Sequence, residues 1–172
     1  MADKQVRYDV DGYEAVTPAL RELLNQYPGL QQTGDEITFS VLSEDAGKAM
    51  FPISGAIIET EKRFILGDVR QICLYPFYVI YRAAGLSENR KAAVKEWLDN
   101  LGRWLEGQTV RINNADYKLK AYPELQGNRG FLSISRQTPA YLSATNDNNS
   151  EDWAIYISAR YQNDFNKHDE VI

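Results

Sequence analysis

The segment from Arg70 to Gly107 limits the possible folds most, because an aromatic strand pattern is followed at once by an amphipathic helix pattern. Apolar side chains recur there at three- and four-residue steps in one stripe: Val94, Trp97, Leu98, Leu101, Trp104 and Leu105. Ser87 is suited to cap the helix start, and Gly107 is suited to end the helix in left-handed backbone. The pattern predicts a strand and a helix that form the scaffold of the fold.

Length and composition are typical of a globular chain, with 172 residues, of which 44% are hydrophobic and 25% charged. We expect a single domain over 1–172, large enough to bury a core without disulfide or metal support. No apolar run approaches the roughly 20 residues that span a bilayer, and the N-terminus lacks signal-peptide order. We therefore expect a protein made and used in a cytoplasm, with no membrane partner.

The net charge of −5 argues against a protein that binds nucleic acid by neutralising phosphates. Lysines and arginines are scattered, and the nearest cluster, Arg90, Lys91 and Lys95, falls on the predicted solvent side of the helix. Eleven tyrosines and three tryptophans offer stiff, amphipathic surface that suits interfaces as well as cores. We expect no specific nucleic-acid partner.

The first half of the chain predicts one short helix and three strands. Residues 1–16 are weakly patterned and predict a loosely ordered arm, after which Thr17-Pro18 predicts a helix start. The elements that follow are a strand at 36–42, an apolar loop at 50–55, and a hairpin of strands 56–66 and 69–81 around Gly67-Asp68. A strand over 69–81 would reach roughly 43 Å, so we expect part of the hairpin to project. Pro76 predicts a bulge or an edge position, because proline cannot donate to a ladder.

The second half of the chain predicts further strands. The proposed elements are short strands near 110–112 and 117–121, a strand at 131–136, an exposed loop at 146–150, and a last strand at 153–161. A polar tail over 163–172 closes the sequence.

The chain offers little that would support catalysis. The single histidine, His168, lies in the polar tail, where nothing predicts the packed neighbours that hold a catalytic base. One histidine and one cysteine are too few for a zinc site of three or four nitrogen and sulfur ligands. Cys73 lies between two apolar residues of a strand and is predicted to fill the core, and it excludes an internal disulfide. We expect no catalytic residue, no metal ligand and no cofactor.

Carboxylates are the remaining candidates for acid–base chemistry. Glu59 and Glu61 are expected on one strand face, and Glu151-Asp152 precede the last strand, but no pattern predicts a pocket that would shift their pKa values. Asp147 with Glu151 and Asp152 suggests at most a weak cation site, because the spacing differs from an EF-hand loop. Phosphate-binding glycine motifs are absent from the sequence.

Six segments, in matching order, resemble a family of small tailed-phage proteins known as minor capsid protein, found in phages and prophages of Gram-positive bacteria. They are Leu24–Leu30 (LNQYPGL), Ala49–Ala56 (AMFPISGA), Gln71–Phe77 (QICLYPF), Trp97–Leu105 (WLDNLGRWL), Arg136–Leu142 (RQTPAYL) and Glu151–Ile155 (EDWAI). The resemblance extends from about Leu20 to Tyr161. By gene order the family is similar to the tail terminator, or tail-completion, proteins of long-tailed phages.

The resemblance implies an α+β fold, with a small, mostly antiparallel or mixed sheet and two helices packed on one face, to which the strand patterns add a long β-hairpin. It implies a homo-oligomeric ring, typically a hexamer, at the head-proximal end of the tail in the virion. Its partners would be other copies of the chain, the tail-tube protein and a head-completion or connector protein. We expect the ring or tube interface to include Met50, Phe51, Pro52 and Ile53 of the apolar loop, with Tyr75 and Phe77 of the hairpin.

Two alternatives follow from the same resemblance. The chain would instead be a head–tail connector or a true minor capsid component. Some members of the family bear the label "chloramphenicol resistance protein", which would suggest an acetyltransferase. That enzyme class uses a histidine in an HHxxxDG-type motif, which this sequence lacks.

Overall fold

The computed structural model describes residues 5–168, which form an α+β fold of three helices and nine strands. The helices are α1 (Val10–Leu24), α2 (Leu30–Thr33) and α3 (Glu88–Leu105). The strands are β1 (Ile37–Phe39), β2 (Gly47–Pro52), β3 (Ile57–Arg63), β4 (Asp68–Ala84), β5 (Val110–Ile112), β6 (Ala115–Tyr117), β7 (Arg129–Arg136), β8 (Tyr141–Thr145) and β9 (Ser150–Asn166).

Two long strands, β4 and β9, form the centre of a seven-stranded sheet. They pair antiparallel over all 17 residues of each, from Asp68 opposite Asn166 to Ala84 opposite Ser150. The other edge of β4 pairs with β2 and β3 in succession, and the other edge of β9 pairs with β7 and β8. Strand β1 is parallel to β2, so the sheet is mixed as predicted, and β5 and β6 form a separate ribbon.

Both long helices pack against the same face of this sheet, which confirms the predicted arrangement. The side chains of that face alternate along the two central strands and are buried: Cys73, Tyr75, Phe77, Val79, Ile155, Ile157, Ala159 and Tyr161. Tyr75 stacks on Tyr13 of α1, with ring centroids 5.7 Å apart. Tyr81 meets Trp97 of α3 edge to face at 5.3 Å.

Helix α3 matches the sequence prediction. The Ser87 hydroxyl accepts a hydrogen bond from the Arg90 amide at 3.4 Å, and Gly107 has φ +81° just beyond the last turn. Trp97 and Trp104 are buried in the core, as the stripe predicts. The Trp97 indole donates to the Gly29 carbonyl at 3.0 Å, which fixes the loop after α1 against α3.

The predicted start of the first helix is wrong. Helix α1 begins at Val10, where the Asp9 carboxylate caps it by accepting from the Gly12 amide at 3.1 Å. Pro18 therefore lies inside the helix, and the Thr17 hydroxyl donates to the Tyr13 carbonyl at 2.7 Å beside it. The buried side chain of Val16 shows that packing outweighs the local preference of Pro18 for a first turn. The predicted arm is thus mostly helical within the described residues, and 1–4 lie outside them.

Pro76 lies at the centre of the sheet, neither at an edge nor at a bulge on the β9 side. It stands opposite Ser158 in an unbroken ladder. On its other side β2 ends opposite Phe77 and β3 begins opposite Leu74, so Pro76 faces the gap between two strands. The Pro76 carbonyl accepts a hydrogen bond from the Ile53 amide at 3.1 Å. Proline has no N–H to donate, and this costs no ladder hydrogen bond because neither β2 nor β3 pairs with Pro76.

The hairpin of β3 and β4 does not project as predicted, because β9 accompanies β4 along its whole length. Several element bounds also differ from those predicted. Strand β1 stops at Phe39, since Ser40 has φ +55°, and the predicted apolar loop begins inside β2. Strand β8 was not predicted, and β9 continues to Asn166, so that it includes the first four residues of the predicted polar tail; of that tail, 169–172 lie outside the described residues.

Candidate interaction surface

The residues predicted to form an interface do not lie together on the surface. Met50, Tyr75 and Phe77 are fully buried on the sheet face that packs against α1 and α3, so they offer no surface to a partner. Their periodicity places them in strands β2 and β4, where alternate side chains enter the core. Phe51 and Pro52 are half-buried and Ile53 is 45% exposed, and their part in an interface remains a prediction.

A different apolar group is exposed at the turn between β3 and β4. This group, called here the apolar turn, consists of three consecutive large side chains, Phe64, Ile65 and Leu66. Phe64 is 52% exposed, Leu66 is 80% exposed, and Ile65 is fully exposed. Single exposed apolar residues are common on proteins, but a run of three at one tip is typical of a surface that meets a partner.

The apolar turn is held in place by hydrogen bonds at its base. The Phe64 amide donates to the Asp68 carbonyl at 2.8 Å, and the Gly67 amide donates to the Phe64 carbonyl at 3.0 Å. Gly67 has φ +90°, a left-handed conformation that glycine adopts without strain. The Asn166 side-chain amide donates to the Asp68 carboxylate at 2.8 Å and ties the turn to β9. The three apolar side chains are therefore presented by an ordered loop.

Basic side chains outnumber acidic ones beside the apolar turn, where Asp68 is an exposed carboxylate. Lys62 is exposed and makes no ion pair with any described residue, and Arg63 is exposed beside its partner Glu61 at 2.8 Å. Lys167 is also exposed, and its amide donates to the Gly67 carbonyl at 3.0 Å. This end of the sheet thus combines apolar surface with local positive charge, although the chain as a whole is acidic.

The sheet face opposite α1 and α3 bears half-buried aromatic residues. Tyr78 of β4 and Tyr156 of β9 stand opposite each other, with ring centroids 5.2 Å apart. Phe51 extends this group across β2, and Tyr141 extends it across β8. All five residues of β8 are exposed, and none of them is charged or proline. Charged residues and proline usually protect the edge of a sheet from pairing with another chain. Because β8 has neither, it is a second candidate contact surface.

A buried polar cluster of three ionisable side chains, Asp9, Arg129 and Tyr161, connects the start of the chain to its last strands. Asp9 accepts two hydrogen bonds from the Arg129 guanidinium, at 3.0 and 3.1 Å, and one from Tyr161 at 2.7 Å. Burial raises the pKa of Asp9, but the hydrogen bonds from Arg129 and Tyr161 outweigh it, so the pKa lies below its usual value. Burial also raises the pKa of Tyr161. This cluster stabilises the start of α1 against β9.

The single cysteine and histidine occupy the environments that the sequence predicts. Cys73 is buried, and burial raises the pKa of its thiol to about 11, which leaves little reactive thiolate at neutral pH. His168 is exposed, and its amide donates to the Asn166 side-chain oxygen at 2.9 Å.

The candidate carboxylates are paired with cations on different parts of the sheet. A register shift at Glu59 puts Glu59 and Glu61 on opposite faces, so their predicted shared face is wrong. Glu59 meets Arg160 at 3.3 Å, and Asp152 meets Arg82 at 2.6 Å. Glu151 meets Lys91 at 2.8 Å. Within residues 5–168, no three histidine, cysteine or acidic side chains cluster so that they would hold a metal ion.

Comparisons with known proteins do not assign the chain to a family. No family model matches the sequence, and no curated protein matches it. A chain from a solved virion of a native gene transfer agent particle is similar at 12% identity with a TM-score of 0.46. That match covers 91% of this chain and 100% of the other. So low a likeness supports no inference about function, and the proposals below rest on the residues of this chain.

The helices of residues 5–168 include none that is long and apolar enough to cross a membrane.

The exposure of the apolar turn is the feature that the sequence prediction missed, because these residues were predicted to be the end of a strand. The sequence did contain a signal for this exposed turn. Phe64, Ile65 and Leu66 immediately precede the turn dipeptide Gly67-Asp68, and three apolar residues in a row lack the apolar–polar alternation of a half-buried strand.

Proposed function

We propose that the chain is a structural subunit of a tailed phage or prophage virion and acts as its tail terminator. In this role several copies form a ring, which we propose to be a hexamer, at the head-proximal end of the tail. The ring ends growth of the tail tube and provides the surface that joins the head. Its partners are other copies of itself, the tail-tube protein and a head-completion protein.

The apolar turn is the observation that supports an assembly role. Phe64, Ile65 and Leu66 would remain in water in an isolated subunit, although the turn that presents them is held by hydrogen bonds. Burial of one such side chain in a contact is worth about 1.5–3 kcal/mol, so the arrangement favours association. The uncharged edge of β8 supports the same conclusion. The terminator role in particular is supported by the sequence resemblance.

Deletion of the gene from its parent phage tests this proposal. We expect filled heads beside tail tubes of uncontrolled length in electron micrographs of the lysate, and we expect a plasmid copy of the gene to restore normal tails. Tails of normal length that fail to join heads would instead indicate a head–tail connector. Complete particles with normal tails would contradict both roles.

The acetyltransferase alternative has its own test. The purified chain is incubated with acetyl-CoA and chloramphenicol, and transfer of the acetyl group is measured. We expect no transfer, because His168 is exposed two residues beyond the end of β9 and does not lie in a packed site. Transfer that disappears in His168→Ala would overturn the structural role in favour of the enzyme.

A further inference from the structure

A shallow groove of about 410 Å³ runs between α1 and β1. This groove, called here the α1 groove, is lined by six residues: Thr17, Pro18, Arg21, Glu22, Asn25 and Phe39. Its floor is mostly carbon, from the proline ring and the half-buried phenylalanine ring. Its volume lies within the range of roughly 300–1,000 Å³ found for binding clefts, so it can accept apolar side chains.

The rim of the α1 groove is acidic. Glu22 lies on the rim, and Glu14 lies two turns before it on the same helix face, with Pro18 between them. Both glutamates are exposed, and neither makes an ion pair within residues 5–168. Arg21 offsets one of the two negative charges. The apolar turn, in contrast, has the lysines Lys62 and Lys167 beside it against one exposed carboxylate, Asp68, so the two surfaces have opposite net local charge.

The apolar turn cannot reach the α1 groove of its own subunit. Phe39 of the groove pairs with Met50, and Met50 pairs with Val79 of β4. Val79 is eleven residues beyond Asp68, where the apolar turn joins β4. At about 3.3 Å per residue this separates the two features by roughly 36 Å along the sheet.

We propose that the apolar turn of one copy docks in the α1 groove of a second copy of this chain. Ile65 and Leu66 pack on Pro18 and Phe39, and Lys62 approaches Glu22. The contact is heterologous, since it joins two different surfaces, and repetition of such a contact gives a ring where the rotation closes. This inference rests on the proposed ring and names the surfaces that build it.

Cysteine cross-linking tests which surfaces meet. Tagged Ile65→Cys is mixed with untagged Glu22→Cys and oxidised, and native Cys73 stays silent because it is buried. We expect a mixed disulfide dimer from this pair. Leu132→Cys, which places a thiol at a 46% exposed site on β7, is the matched control and is expected to give none with Glu22→Cys. Equal cross-linking by Leu132→Cys, or no mixed dimer from Ile65→Cys, would overturn the proposal.

Self-association measured by analytical ultracentrifugation gives the energetic test. We expect Ile65→Ser to raise the concentration of half-association about tenfold or more, and Leu132→Ser to leave it unchanged. Lys62→Glu and Glu22→Lys should each weaken association, and the double variant should recover it. A chain that stays monomeric at every concentration would overturn the proposal. So would an Ile65→Ser variant that self-associates normally but fails to bind tail tubes, which would make the tube protein the occupant.

The two proposals fail in distinguishable ways. If the cross-link and the charge reversal behave as expected but deletion of the gene leaves normal particles, the contact is correct and the terminator role is wrong. If deletion gives tubes of uncontrolled length but Ile65→Ser assembles normally, the role is correct and the contact is wrong.

Discussion

The Tyr161 hydroxyl donates a hydrogen bond to the Asp9 carboxylate at 2.7 Å and joins residues 152 positions apart in the sequence. The same carboxylate caps α1 and holds the Arg129 guanidinium, so the bond connects the first helix to the last long strand and to β7. This cluster decides where the first helix begins. It fixes the N-cap at Asp9, nine residues before Pro18, whereas the sequence pattern predicts a helix start at Pro18.

Asp9→Ala is expected to lower the free energy of unfolding by about 3 kcal/mol or more, because Arg129 would remain largely buried without its partner. Tyr161→Phe removes one hydrogen bond and is expected to cost about 2 kcal/mol. Urea unfolding followed by tryptophan fluorescence measures both. A smaller loss for Asp9→Ala than for Tyr161→Phe would contradict the central place of Asp9.

Gly12→Ala is expected to destabilise the protein by about 2 kcal/mol, although alanine is normally preferred to glycine in helices. A Cβ atom at Gly12 would overlap the Asp9 carboxylate and the Tyr161 hydroxyl. Gly130→Ala is the matched control, because a Cβ atom at Gly130 meets nothing within 4 Å. Thermal unfolding of both variants decides the matter, and a rise in Tm for Gly12→Ala would refute the prediction.

Lys48 is 3% exposed and pairs with Asp35 at 2.7 Å, with its ammonium group 4.1 Å from the centre of the Tyr81 ring. Burial lowers the pKa of Lys48. Asp35→Ala leaves the buried ammonium unpaired and should cost about 3 kcal/mol, whereas Lys48→Met keeps the packing and should cost less than about 1 kcal/mol. The comparison uses chemical denaturation, and the reverse order of the two losses would count against it.

The free energy of unfolding should fall as the pH is lowered, because Glu61 becomes protonated. Hydrogen bonds from Arg7 and Gln71 lower the pKa of Glu61 to about 2, from a usual value of 4.5. The unfolded chain therefore takes up this proton at higher pH than the folded chain, and the contribution is full above about pH 4.5 and is lost as the pH falls towards 2. The difference in unfolding free energy between the wild type and Glu61→Gln should therefore shrink as the pH falls from about 4.5 towards 2. A difference that is independent of pH would exclude Glu61 as the source.

Cys73 should resist thiol reagents in the folded protein. It is buried and its pKa is raised to about 11, so both access and thiolate are limited at neutral pH. Absorbance with a chromogenic disulfide reagent should show one thiol only after denaturant is added. Rapid reaction of the native chain would mean that β4 opens locally.

The sequence predicted those parts of the fold that local patterns encode. The stripe on α3, the Ser87 cap, the alternation that ends at Tyr161 and the burial of Cys73 all follow from spacing that repeats within a single element. The position of Pro76 could not be predicted in this way, because it depends on two strands that end and begin beside it. The interface predictions for Met50, Tyr75 and Phe77 failed for the same reason, since strand order decides which apolar residues are covered.

The sequence by itself determined which side chains share a face of each long element, because helix and strand periods are local properties of the backbone. Only the tertiary structure decided that β4 is central, that β9 accompanies it from end to end, and that Phe64, Ile65 and Leu66 are exposed beyond them. Those outcomes depend on pairing between residues far apart in the chain, here over 98 positions from Asp68 to Asn166, and no local pattern specifies such pairing.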